Sequence, residues 1–297
     1  MVFNEVIFLR ELKDKLNFML INITAFLGIG ALILIFVFII HESIPALKSA
    51  GIEIFTSFNW YPTYDEPEYG ILTMLINSIL LTIFTSLIVI PLGYIVAFFM
   101  YEYAKPLEKR LIKSAIDLLS GVPSVIIGMF LVIYLSPLML EIGAWSPENM
   151  LLAVSGLVLL SFPYTASLME EALSSVDKSL KEGALALGST RFTAVFKIVT
   201  LAALPGIVNS IILTINRVIG ETMVVLMAAG GANMLPQSIF DPVRPLTAAI
   251  ASEMGEVEIG SIHYSTLFVS GLVLLVISVI LTISSKNFVR SYENGKR

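Results

Sequence analysis

The sequence predicts an all-α, polytopic membrane protein with six transmembrane helices, and three observations carry that prediction. Of its 297 residues, 57% are hydrophobic and only 14% charged, and the mean hydropathy is +0.89, too apolar for a soluble domain of this size. Six apolar runs reach the length needed to cross a hydrocarbon core about 30 Å thick. Fifteen of the eighteen lysines and arginines fall on one side of those runs. That bias places both termini in the cytoplasm of a cell whose plasma membrane the chain crosses.

The first residues interleave Arg10, Lys13 and Lys15 with Glu5, Glu11 and Asp14, an amphipathic lead-in. Leu16 to Ile40 follows as the first span, read as a retained helix because no small-residue cleavage site follows it. His41 to Tyr69 is an acidic external loop in which Trp60, Tyr61 and Tyr64 suit the membrane interface. Further spans are expected at Ile71 to Tyr101, Ser114 to Leu140, Asn149 to Met169, Ala203 to Ala229 and Tyr264 to Ser284. Three regions result: 1–69 as lead-in, first span and external loop; 70–285 as the core, with a cytoplasmic loop at 170–205 and an external loop at 230–263; and 286–297 as a cytoplasmic tail.

The loop from Glu170 to Pro205 is the one long polar insert on the basic side. Val176, Leu180, Ala184 and Leu187 recur at three- and four-residue spacing, lining one face of a short helix, while Asp177, Lys178, Lys181 and Glu182 fall mainly on the other. Gly188 suits the left-handed turn that ends such a helix. The pattern is that of a partner-docking helix, although an amphipathic turn by itself is weak evidence for a partner site; an interfacial helix lying on lipid is the plainer reading.

Within the spans, Pro91 with Gly93, Gly121 with Pro123, and Pro163 interrupt the apolar runs and free backbone carbonyls, near hydroxyls such as Ser120, Ser124, Ser161 and Thr165. Each break alone reads as a structural kink; together they favour a bundle that moves or encloses a path. The sharper signal is NRVIGET in the fifth span, from Asn216 to Thr222. It sets Arg217 and Glu221 four residues apart on one helical face. A charge at the bilayer centre costs about 2.5 to 3.5 kcal/mol on insertion scales, so such residues face the bundle interior and pair with each other or with a substrate. A guanidinium fork matches a tetrahedral oxyanion, and Glu221 would hold it when the anion is absent. A purely structural ion pair is the other reading. Asp117 is read as an interfacial residue.

The external segment FDPVRPLTAAIASEMGE, Phe240 to Glu256, is too apolar for a free loop and is expected to fold back on the bundle or meet an external partner. His41 and His263 lack further ligands at metal-binding spacing, so no metal site is expected. Cysteine is absent, which excludes disulfides and thiolate chemistry. No phosphate-binding G-x-x-x-x-G-K-[ST] loop, nucleophile elbow or basic aromatic nucleic-acid surface occurs, so neither catalysis by this chain nor nucleic-acid binding is expected.

EGALALG at Glu182 to Gly188, with TRF at Thr190 to Phe192 and ALPGI at Ala203 to Ile207, resembles the EAA loop of ABC-importer permeases, whose helix inserts into a groove on a cytoplasmic ATPase. GVPSVIIG at Gly121 to Gly128, RVIGETMVVLMAAG at Arg217 to Gly230, the Phe240 to Glu256 segment and HYSTLF after it are similar to the PstC-type permeases of phosphate importers; MVVLM after Gly-Glu-Thr separates them from the PstA type. The resemblance covers about Gly70 to Ser284. It implies the type I ABC importer (MetI-like) fold, a heterodimer with a PstA-like permease, a PstB-like ATPase dimer that uses ATP, and an external PstS-like phosphate-binding protein, with no cofactor bound by this chain. It also ties Arg217 and Glu221 to phosphate passage. Asn216, Thr222 and Ser124 are read as lying along the same substrate path, and Gly121, Pro123, Pro163 and Pro205 as helix breaks. One departure stands out: Thr200 and Leu201 occupy the place of the family's Leu-Pro, which leaves Pro205 to shape re-entry into the membrane. A sulfate or molybdate permease, a gradient-driven anion carrier and a non-transporting scaffold are the competing readings.

Overall fold

The computed structural model describes residues 2–294, with the side chains of residues 13 and 15–292. The charge pattern of the lead-in at Glu5, Arg10, Glu11 and Asp14, and the tail residues Lys296 and Arg297, lie outside the described side chains.

The elements run α1 (Val2–Ser49), α2 (Glu53–Thr56), the strand pair β1 (Trp60–Tyr61) and β2 (Glu68–Tyr69), α3 (Leu72–Glu102), α4 (Pro106–Ser120), α5 (Ser124–Phe130), a π-helical turn (Leu131–Leu135), α6 (Ser136–Glu141) and α7 (Met150–Ser174). They continue with α8 (Lys178–Ala186), α9 (Arg191–Ala194), a second π-helical turn (Val195–Val199), α10 (Thr200–Ala202), α11 (Leu204–Ile219), α12 (Met223–Ala228), α13 (Leu246–Glu253) and α14 (Ile262–Asn294). Among the described residues five helical stretches are long and apolar enough to cross a membrane, and the pair Arg191–Ala202 and Leu204–Ile219, bent by 73°, makes a sixth when read as one span. The fold class expected from composition and periodicity is therefore the one observed.

α1 leans mainly on α14, touching it through the Phe38 and Phe268 rings at 5.5 Å. Its apolar flank from Leu16 to Ile40 stays exposed, as a lipid-facing helix requires. The centre of the bundle is α3 against α7. Their backbones approach so closely that a Cβ on Gly93 would lie 2.8 Å from the Thr165 Cγ2, which explains a glycine inside an otherwise bulky apolar helix.

Several expected boundaries shift for local reasons. The third span was expected as one helix from Ser114 to Leu140; α4 instead ends at Ser120 and a new helix starts at Ser124. Pro123 denies its own carbonyl-binding amide to the α4 ladder and takes an extended-type backbone as the N-cap of α5, so Gly121 and Pro123 do break the helix. α4 nonetheless already packs among Val96, Met100 and Ala166 through Ile116, while Asp117 is exposed. Pro163 does not break its helix: α7 runs from Met150 to Ser174 through it. Pro91 likewise lies inside α3. Pro205 stands in the first turn of α11, directly after the 73° bend, where its missing N–H costs nothing.

The fifth span was expected to be continuous from Ala203 to Ala229. α11 stops at Ile219, the chain passes Gly220, Glu221 and Thr222 without helical pairing, and α12 begins at Met223. Beyond it the segment expected to fold back does so. Val243 N–H donates to the Ala229 carbonyl at 2.7 Å and Gly231 N–H to the Val243 carbonyl at 3.2 Å. Gly230 takes φ +86°, and a Cβ there would fall 2.5 Å from Pro242 Cβ, so the turn demands glycine. The same segment caps α7: Met150 N–H donates to the Asp241 carbonyl and Leu151 N–H to that of Ile239, both at 2.9 Å, while Asn149 Oδ1 accepts from Leu152 N–H at 3.0 Å. Three of the orphan donors at that helix start are thereby satisfied.

Candidate functional site

Two places gather the residues singled out in the sequence. The first is the break between α11 and α12. Because α11 ends at Ile219, Arg217 and Glu221 are not successive turns of one helix, and they form no ion pair. This corrects the expected pairing. The Glu221 Oε1 accepts instead from the Val224 N–H at 3.4 Å, serving the first turn of α12, which has free amides to satisfy. Its own carbonyl accepts from the Thr247 hydroxyl at 2.8 Å, and the Ser78 hydroxyl receives the Leu246 N–H at 2.9 Å. The break is thus stitched to the start of α13 and to α3. The space beside Glu221, lined by Ser78, Val218 and Thr247 among others, is about 10 Å³, room for no more than a single water. A tetrahedral oxyanion does not fit there in this conformation.

Arg217 turns the other way. Its Cζ lies 5.1 Å from the centroid of the Tyr164 ring on α7, within cation–π range. The side chain is half-buried and its Nε is buried with no hydrogen-bond partner. Among the described residues no carboxylate stands within ion-pair distance of it. A cation so placed and so unpaired has donor capacity left for an anion. Asn216 reaches Thr282 on α14 through Nδ2 at 3.4 Å, leaving its Oδ1 buried and unpartnered. The Thr222 hydroxyl donates to the Gly220 carbonyl at 3.3 Å. Ser124 opens α5, a helix that packs on α12 and α7, with Gly128 set against Met227. Asn216, Arg217, Glu221 and Thr222 are therefore gathered along one short stretch, and Ser124 belongs to a different contact.

The second place is the loop around α8. Asp177, not Val176, starts the helix: its carboxylate accepts from Ser179 N–H at 2.8 Å, a bond that also holds the Asp177 carboxyl below the usual carboxylate range. Val176 lies before the helix and packs, half-buried, with Met169, Leu173 and Val195. Ala184 is buried, whereas Leu180 is 47% and Leu187 90% exposed, and Glu182 is exposed. The expected single apolar face is accordingly divided, with Val176 and Ala184 seated on the bundle and Leu180, Glu182 and Leu187 projecting from it. Gly188 takes φ +86° as the turn requires. The seat is ionic as well as apolar. Lys181 pairs with Glu102 at the end of α3, whose side chain is only 2% exposed, and stands over the Tyr101 ring at 5.3 Å. Nearby, Glu170 on α7 receives Lys109 at 2.6 Å and Lys113 at 2.8 Å.

The departure at Thr200 has a structural role. Its hydroxyl donates to the Val195 carbonyl at 3.0 Å and meets the Tyr94 hydroxyl at 2.7 Å, closing the π-helical turn before the bend. At the opposite end of the bundle Glu253 joins the Trp60 Nε1 at 3.1 Å, the His263 Nε2 at 2.6 Å and the Arg244 guanidinium, so His263 serves a carboxylate network. No group of three or more His, Asp or Glu able to hold a metal occurs among the described residues.

Tyr164, Thr165 and Thr214 were not singled out as site residues, although a signal for them existed. Thr165 and Thr214 share a buried hydroxyl contact at 2.9 Å between α7 and α11; polar residues recurring at helical spacing in apolar spans, Ser210 with Thr214 and Ser161 with Thr165, mark such contacts.

A bent and broken fifth span, a projecting amphipathic loop helix and a folded-back 230–256 segment characterise this polytopic membrane bundle. Residues 89–294 match the model of the "Binding-protein-dependent transport system inner membrane component", and the chain belongs to that family. Among curated relatives, it is 35% identical over 275 residues to the probable ABC transporter permease protein YqgH of Bacillus subtilis, covering 91% of this chain and 88% of that one. It is 30% identical over 251 residues to the phosphate transport system permease protein PstC of Pasteurella multocida, covering 77% and 78%. The fold is that of an inward-facing MetNI methionine ABC transporter chain, at a TM-score of 0.55 and 19% identity over 75% of this chain and 94% of that one. The chain is thus the permease subunit of an ABC importer: a multi-pass membrane component that works with a second permease, an external binding protein and a separate ATPase, and is not itself catalytic.

Proposed function

We propose that this chain is the permease subunit of an ATP-driven importer of inorganic phosphate. The observation that carries the reading is Arg217, a half-buried guanidinium in a broken span, without a carboxylate, in a chain whose relatives include permeases named for phosphate transport. The partners that follow are a PstA-like permease, a PstB-like ATPase dimer that binds and hydrolyses ATP, and a PstS-like external phosphate-binding protein. This chain itself binds no cofactor. The bias of fifteen basic residues to one side of the spans supports a cytoplasmic position for both termini.

In the transport cycle, ATP binding closes the ATPase dimer and draws the α8 helices of the two permeases together. The bundle opens outward and receives phosphate; hydrolysis reverses the motion. Leu180, Glu182 and Leu187 present the exposed surface of α8 to the ATPase, while the Lys181–Glu102 pair hands its movement to α3. Arg217 binds the anion transiently along a path that also includes Asn216 and Thr222. Glu221 does not compete for the guanidinium in this conformation; it secures α12. Since phosphate and sulfate share size and shape, one arginine cannot separate them, and the binding protein supplies selectivity.

The test is phosphate uptake into proteoliposomes holding this chain with its candidate partners and binding protein, with and without ATP at the ATPase, for wild type and Arg217→Ala. Uptake that requires ATP and collapses in the variant is expected. Uptake without ATP would replace the importer with a gradient-driven carrier, uptake of sulfate or molybdate but not phosphate would reassign the substrate, and an unaffected variant would return Arg217 to a structural role.

A further inference from the structure

We propose that Tyr164 is a positioning residue for oxyanion passage, holding the face of the Arg217 guanidinium so that its N–H edge stays available to the anion. The proposal rests on the reading of Arg217 as the anion-binding group and adds to it the residue that sets its geometry.

A guanidinium is planar, and all of its donors lie in that plane. When one face rests on an aromatic ring, the ring satisfies the charge without consuming a single N–H. A carboxylate partner would do the opposite, occupying two donors in a fork and leaving fewer for a substrate. Arg217 has the ring, at 5.1 Å from Cζ, and lacks the carboxylate; its Nε remains buried and unpartnered.

The ring is held in register with the cation. Thr165, the next residue on α7, meets Thr214, three residues before Arg217 on α11, through buried hydroxyls at 2.9 Å. Two turns away the same pair of helices touches at Gly206, where a Cβ would lie 2.9 Å from that of Ala172. Gly93 of α3 fits against Thr165 from the other side, with no room for a Cβ. These close contacts fix the α7 backbone at Tyr164 against α11, so its ring stands opposite Arg217, and a ring standing there limits the guanidinium's rotamers. An arginine free to swing in a low-dielectric site would pay side-chain entropy at each capture of the anion. Tyr164 removes that cost in advance, and a cation–π contact is weak enough to let the anion leave again.

The reconstituted complex, with its partners and binding protein, supplies the test through two readouts. The first is phosphate uptake per ATP hydrolysed at saturating loaded binding protein. The second is the rate of phenylglyoxal adduct formation at Arg217, followed by peptide mass spectrometry with and without inorganic phosphate. Tyr164→Phe keeps the ring and is expected to match wild type in both. Tyr164→Leu is expected to lower uptake per ATP about fivefold, the scale of a partly desolvated cation–π contact, while speeding adduct formation and weakening its protection by phosphate. Should the Leu variant fail to assemble, Tyr164→Met carries the same expectation. Equal behaviour of the Phe and Leu (or Met) variants in both readouts would overturn the proposal, as would a Phe variant as impaired as Leu. If Arg217→Ala transports normally, the underlying reading of Arg217 fails; if Arg217→Ala is inactive while Tyr164→Leu is unchanged, only the role of Tyr164 fails.

Discussion

At the basic end of the bundle, charges that leave water are answered within the chain: Glu102 by Lys181, and Glu170 by Lys109 and Lys113. At the break in the fifth span, Arg217 has an aromatic face and no counter-charge. The two arrangements solve the same physical problem, the cost of taking a charge out of water, for opposite ends. A paired carboxylate and lysine between helices recovers its desolvation cost only in one geometry, so such pairs suit a place where α8 keeps a fixed seat on the end of α3. An unpaired cation leaves part of that cost unrecovered in the resting protein, and an anion that supplies the missing charge is drawn to it for that reason.

The contrast can be broken most severely at Lys181. Lys181→Ala strands the Glu102 carboxylate, 2% exposed, and should destabilise the chain by about 3 kcal/mol, the usual result of removing one partner of a buried pair. Thermal unfolding of the complex in lipid nanodiscs measures it. Adding Glu102→Gln to that variant should recover most of the loss; if it does not, the lysine acts through its contact with the Tyr101 ring and the ionic strut is wrong. Arg217→Ala, which removes a cation with no such partner, should leave the unfolding temperature nearly unchanged.

The break region depends on close packing rather than charge, and Gly156→Ala tests that. A Cβ at Gly156 would fall 2.2 Å from Leu131 Cδ1 and 2.7 Å from Val224 Cγ1, so these two fully buried side chains must shift within the core to admit it. Overpacking of this kind costs about 2 kcal/mol, read as a lower unfolding temperature with reduced uptake. A neutral result would mean that α12 is loosely held. Smaller again is Glu170→Gln. Lys109 and Lys113 are 34% and 51% exposed and can return to water once the carboxylate is gone, so about 1 kcal/mol is expected in the same unfolding measurement.

The sequence already showed the spanning stretches, because apolar runs are averages over many residues and survive local irregularity. It showed Gly188 as a helix end, since a left-handed turn leaves few residues to choose from. It did not show the break at Gly220 to Thr222. A four-residue spacing means one face only if the helix continues, and whether it continues was decided by Thr247 and Val224 bonding to Glu221, partners that lie outside the motif. Likewise the apolar spacing of Val176, Leu180, Ala184 and Leu187 was real, but Asp177 capped the helix inside it and the bundle claimed only two of the four. The ion pairs of the basic end join residues far apart in the chain, and nothing in local periodicity pairs Lys109 with Glu170. Pro163 looked like a break and is not, because a continuous α7 is held on both sides by α3 and α11.

The outer end of the bundle sharpens the comparison through pH, where the expected effect is smallest. Asp241 is 7% exposed; it accepts from the Trp145 Nε1 at 2.8 Å and from the Gln237 and Ser238 N–H groups at 2.7 and 2.8 Å. Those donors, Trp145 foremost and then the two amides, hold its carboxyl below the usual aspartate range. With the folded value depressed, the stabilisation is fully present above the unfolded-state value and is lost as pH falls through the folded one. Since the Asp241 carbonyl also caps α7, acid should loosen the 237–243 segment and the first turn of α7 together. Hydrogen exchange at Met150 and Leu151, followed from neutral pH down to about pH 3, should slow less than the intrinsic rate does in wild type and lose that excess in Asp241→Asn, which has no charge to titrate. If both proteins show the same pH dependence, the carboxylate is not what holds the external segment on α7, and the cap rests on backbone bonds alone.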